Sequence, residues 1–245
     1  MTTRFEYLLR LGDDALIAAQ RMSEWVSRAP ELEEDMALAN IALDQLGQAR
    51  MLLTYAGEVE GAGRTEDTLA YLRTDREFRN CQLVELPNGD FAVTMAKLLF
   101  FSAYQQLLYG RLVESSDERL AAIAAKAIKE VAYHVDHAIQ WTLRLGDGTE
   151  ESHRRMQDAV DQIWPYTNEL FEPDQPAGDG IGVDPATLRD EWLATVEKVL
   201  AEATVERPED GWAPTGGRSG IHTEALSYLL AEMQSVHRMY PGAQW

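Results

Sequence analysis

The sequence predicts an all-α protein, a four-helix bundle with one crossover that is extended by C-terminal accessory helices. Two observations point there. Apolar residues recur every three or four positions through most of the 245 residues, and the four longest such segments fall into two closely joined pairs separated by a longer connector.

The first helix is marked by Leu8, Leu9, Leu11, Leu16, Ile17 and Met22, and ends before Arg28-Ala29-Pro30, because Pro30 disfavours helix at Ala29. The acidic run Glu31 to Asp35 suits the positive end of a second helix. That helix carries apolar residues on more than one face, from Met36 to Ala56, and is expected to stop near Gly57 to Gly63. A polar connector, EDTLAYLRTDREFRNCQLVELPNGD, follows. Asn88-Gly89-Asp90 supplies turn and cap chemistry for a third helix from Phe91. A short break at Ser115-Ser116-Asp117 leads into a fourth, whose pattern runs from Leu120 to Leu145 before Gly146-Asp147-Gly148. Two long helices, a long connection and two more long helices give the ferritin-like order. Accessory helices are expected at about 150–171, 186–205 and 221–239, and the whole as one domain over residues 1–245 with its core bundle at about 4–146.

The formal charge is −19, with 45% hydrophobic and 26% charged residues. A folded chain this acidic lacks the clustered Lys and Arg needed to hold duplex nucleic acid or an anionic membrane. No apolar run approaches the ~18 residues that cross a bilayer. The single cysteine, Cys81, cannot form an internal disulfide, and MTTRFEYLLRLGDD has no secretory pattern, so a cytoplasmic location is expected.

The connectivity invites a test for a di-metal carboxylate site, which needs inward Asp or Glu residues and Glu-x-x-His on two helices. Of the five histidines only His153, in Glu150-Glu151-Ser152-His153, has a glutamate three positions earlier, and that match reads as a solvated helix start. His134 and His137 form a richer cluster with Glu130 and Asp136. In ANIALDQLGQAR, however, Gln45 and Gln48 occupy the motif spacing, and neutral amides are poor ligands for iron.

The segments RMSEWVSRAPELEEDMALANIALDQLGQAR, EDTLAYLRTDREFRNCQLVELPNGDF, KAIKEVAYHVDHA and TGGRSGIHTEALSYLLAEMQ together resemble the C-subunit family of bacterial phenylacetyl-CoA epoxidases, also called ring 1,2-epoxidases or phenylacetyl-CoA monooxygenases. The resemblance runs from about Tyr7 to Trp245. It implies a ferritin-like, catalytically inactive subunit that pairs with a homologous di-iron oxygenase subunit in aerobic phenylacetate catabolism, with NADPH, flavin and iron–sulfur centres in a separate reductase. Against the oxygenase subunit, one Glu-x-x-His falls on Gln45 and Gln48 and the other on Val131 and His134; the remaining carboxylates fall at Ala15 and near Ser102. No metal is therefore expected in this chain. Gln45, Gln48, Glu130 and His134 are expected to form hydrogen bonds or ion pairs in the vacated interior, because a buried polar group without a partner costs ~1–3 kcal/mol.

The family also implies an acyl-CoA substrate near the interface between subunits. Arg73, Arg76 and Arg79 would form a basic edge suited to phosphates. The expected substrate contacts are Arg76, Glu77, Phe78, Arg79 and Asn80, with Pro176, Ala177 and Gly178 of the loop EPDQPAGDGIGVDP. A surface turn salt-bridged to Asp75 and Glu77 is the alternative. TGGRSG lacks the P-loop pattern and reads as a structural loop, His222 and Glu224 as a local pair at a helix start, Cys81 as a small buried residue, and the tryptophans as mostly core. Two other functions compete: an independent di-metal oxygenase or ferroxidase using His134 and His137, and a stand-alone acyl-CoA binding module.

Overall fold

The computed structural model describes residues 3–173 and 180–243, and all secondary structure in them is helical. The all-α class is the one found, with the long helices in the expected ferritin-like order. The described residues group into two compact units. One combines residues 3–87 with 215–243, and the other is residues 88–214. The C-terminal segment thus belongs with the first two long helices rather than with the other accessory helices.

In the discontinuous unit, α1 (Arg4–Ser23) opens with a Thr3/Glu6 capping box. It runs antiparallel to α2 (Leu32–Glu60), with Gly12 against Leu53 and Arg64 over the Phe5 ring. A Cβ on Gly12 would lie 2.8 Å from Leu53, so this glycine sets the approach of the two helices. Gly61, left-handed at φ 71°, ends α2 where the expected stop lay.

The connector is more structured than its polarity suggested. It contains α3 (Glu66–Tyr71), a 3₁₀ turn at Asp75–Glu77 and α4 (Gln82–Glu85). The last expected helix is divided into α9 (Glu224–Met233) and α10 (Ser235–Met239), numbered in chain order with α5–α8 below. At the division, the Gln234 side-chain amide donates to the carbonyls of Ala70 and Arg73, both at 3.0 Å.

In the continuous unit, α5 (Phe91–Leu112) and α6 (Glu118–Gly146) begin at the Asp90 and Asp117 caps. Asp90 accepts from the Val93 N–H, and Asp117 from those of Arg119 and Leu120. α7 (Glu150–Ile163) then tightens into a 3₁₀ segment at Trp164–Phe171, which Pro165 suits because it has no N–H to donate. A 3₁₀ turn at Pro185–Leu188 leads into α8 (Arg189–Glu202), so these two accessory helices are shorter than expected. Trp164 and Trp192 are core residues, packed with Phe100 and Phe171, whereas Trp212 is 76% exposed. The Trp192 indole donates to the Phe100 carbonyl at 2.9 Å. His153 lies at a capped helix start as expected; beside it Arg154 and then Arg155 hold the exposed Glu151 carboxyl down to about 2.

Candidate functional site

The polar centre of the discontinuous unit begins with Asp13 and Asp14. They lie on the apolar stripe of α1, Asp13 four residues after Leu9 and Asp14 three before Ile17, and both are buried. Buried carboxylates need partners, and the connector supplies them. Asp13 pairs with the Arg73 guanidinium and accepts the Arg79 backbone N–H at 2.8 Å. Arg73 is 3% exposed, and its guanidinium lies over the Phe78 ring, 4.3 Å from the centroid. Asp14 takes both terminal nitrogens of Arg218 at 2.8 Å and the Cys81 N–H at 2.8 Å.

Glu85 is the third buried carboxylate. One oxygen accepts from Asn80 at 2.8 Å and from Nδ1 of His222 at 2.7 Å, and the other accepts the Thr223 N–H at 2.6 Å. Nε2 of His222 donates to the Phe78 carbonyl at 3.1 Å. A carbonyl only accepts, so Nε2 carries a proton, and Nδ1 faces the Glu85 carboxyl. Nearby, the Asp75 carboxyl lies below its usual value, chiefly through the Ser227 hydroxyl and also through the backbone and charge of Arg76 and the charge of His222. Three acidic side chains thus face Arg73, Arg218 and His222, an internally paired cluster joining α1, the connector and the segment before α9. Its chemistry is that of a clamp. Cys81, buried as expected, offers no accessible nucleophile.

These contacts change the expected basic edge. Arg73 is removed from it, because burial against Asp13 and Phe78 leaves no guanidinium face for an anion. Arg76 is exposed and Arg79 half-buried. Their side chains donate to backbone carbonyls, Arg76 to Gly220 at 3.3 Å and Arg79 to Arg76 and Phe78 at 2.9 and 2.8 Å. Phe78 and Asn80 are both fully buried, Phe78 beneath Arg73 and Asn80 against Glu85. Exposed Glu77 caps the 3₁₀ turn; the Thr74 N–H, then its hydroxyl, holds its carboxyl below the usual range. Pro176, Ala177 and Gly178 lie outside the described residues. His222 pairs with Glu85 instead of its neighbour Glu224. Sequence reasoning missed Asp13, Asp14, Glu85 and Arg218, although two adjacent acids on an apolar stripe were a usable signal.

Gly220 is where the last segment passes closest to Arg76. It has φ +79°, and a Cβ there would lie 2.3 Å from the Arg76 carbonyl oxygen. Left-handed backbone alone costs a non-glycine residue about 1–2 kcal/mol. Gly220→Ala is therefore expected to lower unfolding stability by at least about 2 kcal/mol. Gly211→Ala, where a Cβ meets nothing within 4 Å, serves as the near-neutral comparison in the same denaturant titration.

The positions aligned with metal ligands are all buried: Ala15 on α1, Gln45 and Gln48 on α2, Ser102 on α5, and Val131 and His134 on α6. The Ser102 hydroxyl donates to the Leu98 carbonyl at 2.6 Å within its own helix. Gln45, Gln48 and His134 all have interaction partners. Glu130, 18% exposed at its side chain, is ion-paired with Lys126 one turn earlier on α6. Among the described residues, no three His, Cys, Asp or Glu side chains are placed to hold a metal ion.

Comparison with known proteins adds two findings. The family model described as phenylacetic acid catabolic protein matches residues 1–245. The chain is also 51% identical over 243 residues to the C subunit of the 1,2-phenylacetyl-CoA epoxidase of Escherichia coli (strain K12), covering 98% of each chain.

Proposed function

Because the chain belongs to the phenylacetic acid catabolic protein family, we propose that it is a non-catalytic subunit of a 1,2-phenylacetyl-CoA epoxidase acting in aerobic phenylacetate breakdown. It pairs with the homologous di-iron oxygenase subunit and stabilises it. That oxygenase partner performs the oxygen chemistry, with electrons from an NADPH-dependent reductase carrying flavin and iron–sulfur centres. Family membership and the similarity to the C subunit of an epoxidase support the pathway and the multi-subunit setting.

The observation that carries the non-catalytic role is the donor set at the aligned positions. A di-iron carboxylate centre takes about four carboxylates and two imidazoles. Ala15 and Val131 have no donor atom, Gln45 and Gln48 are neutral amides, and the Ser102 hydroxyl is engaged with Leu98. His134 alone is of ligand type. These residues do not fit an iron pair, and no reaction step is assigned to them. Arg76, with the accessible part of Arg79, is the chain's contribution to holding the anionic coenzyme A portion of the substrate.

Co-expression with the oxygenase subunit, followed by size-exclusion chromatography and iron analysis of each peak, tests the proposal. The two chains are expected to migrate together, with iron tracking the partner and unaffected by His134→Ala in this chain. About two irons per chain in the separately purified protein, lost in His134→Ala, would overturn the non-catalytic role.

A further inference from the structure

The outward face of α2 is unusual for an exposed helix. Leu32, Met36, Leu43 and Leu46 are 73%, 60%, 64% and 46% exposed. With Ala39 between them, they repeat at alternating intervals of four and three residues, the spacing that keeps one seam facing another helix. Leu38, Ile41, Ala42, Ala49, Leu52 and Leu53 are buried at the same time, so α2 is apolar toward the interior and toward solvent. An exposed face normally carries charged and polar groups, and a continuous apolar seam marks a contact surface.

The seam runs into a groove. Leu46 also lines an open cavity of about 250 Å³, walled by Leu16, Ala49, Leu53, Ala70 and Tyr71. Glu66, Asp67 and Arg50 also line it, with Arg50 3.5 Å from Glu66. Apolar walls with two acids and one arginine beside them, a net acidic lining, suit the aliphatic stem and charged head of a lysine or arginine.

Charge decides between occupants. From Leu32 to Ala49 the helix carries Glu33, Glu34, Asp35 and Asp44 and no Lys or Arg. A second copy laid along this seam would set acidic flanks against acidic flanks, within a pair of chains each at −19. A different polypeptide with an apolar helix face bordered by lysine and arginine meets complementary charge and shape. We propose that the α2 seam and the adjoining groove are the surface on which this chain receives the oxygenase subunit, through a basic-flanked amphipathic helix that inserts one cationic side chain between Tyr71 and Leu46. The inference rests on the pairing proposed above and gives that pairing an address.

The test uses the full chain and the oxygenase subunit expressed together, with association measured by size-exclusion chromatography and by titration at low and high salt. Leu43→Glu combined with Leu46→Glu is expected to weaken association by at least about tenfold, with the thermal unfolding of the chain unchanged. Asp67→Lys is expected to weaken binding and to reduce its salt dependence. Tyr228→Glu, at a more exposed site on α9, leaves both unaltered. Full co-migration of the Leu43/Leu46 variant would overturn this surface while leaving the pairing intact. Separate migration of the unmodified chains would overturn both. If the unmodified chain alone runs at twice its mass and Leu43→Glu returns it to a monomer, the seam belongs to a second copy and the inference fails.

Discussion

Asp13→Ala is expected to lower the unfolding free energy by about 3–5 kcal/mol. The reason lies in what remains. Arg73 stays 3% exposed over the Phe78 ring, its charge held away from water with no carboxylate beside it, and the Arg79 N–H loses its acceptor. Breaking a buried pair by removing one partner costs much more than the pair itself contributes. Removing both charges should therefore restore most of the loss, so Asp13→Ala combined with Arg73→Met is expected to be more stable than Asp13→Ala alone. Urea unfolding followed by tryptophan fluorescence measures both. A loss under about 1 kcal/mol in the single variant would mean that the pair behaves as a solvated one.

Glu85→Ala is expected to cost a similar amount, about 3–5 kcal/mol, and to act on a different part of the chain. One carboxylate is bonded to Asn80, His222 and the Thr223 backbone, so its removal takes a shared partner from three groups, two of them part-buried and one buried. Two of those groups belong to the segment entering α9. The variant should release residues 215–243 before the rest unfolds, and limited proteolysis should cut there at temperatures at which the unmodified chain is resistant. Loss of stability without early cleavage of that segment would show that Glu85 supports the unit as a whole rather than its last segment.

The starts of the long helices were legible because the causes are local. Asp90 and Asp117 cap helices that begin one residue later, and Gly61 stops α2 within the expected stretch. The connector was not legible because its causes are distant. Arg73, Arg76 and Arg79, evenly spaced in sequence, point to different surroundings: the chain turns through a 3₁₀ segment at Asp75–Glu77 and is extended at Phe78. Only the position of Asp13, 60 residues earlier, takes Arg73 inside. The division between α9 and α10 has the same origin, since Gln234 reaches carbonyls more than 160 residues away. At the aligned metal positions, side-chain identity carried the expectation, since Ala15 and Val131 have no donor atom and Gln45 and Gln48 are neutral amides. It did not show which partner Glu130 would take, which is Lys126 of the preceding turn.

The clamp also has a consequence for how the protein is made. Asp14 meets Arg218 across 204 residues and Glu85 meets His222 across 137, whereas the unit of residues 88–214 is continuous. Chains emerge from the ribosome at about 5–20 residues per second and fold domain by domain as they appear. The middle of this protein can complete its contacts while residues 3–87 still wait for residues 215–243 to leave the exit tunnel. Nascent α1 and α4 therefore hold carboxylates whose cations have not yet been translated. Closure of the discontinuous unit reports that its last segment has been made, and a chain truncated before residue 215 keeps its longest helices but never acquires the means to lock them.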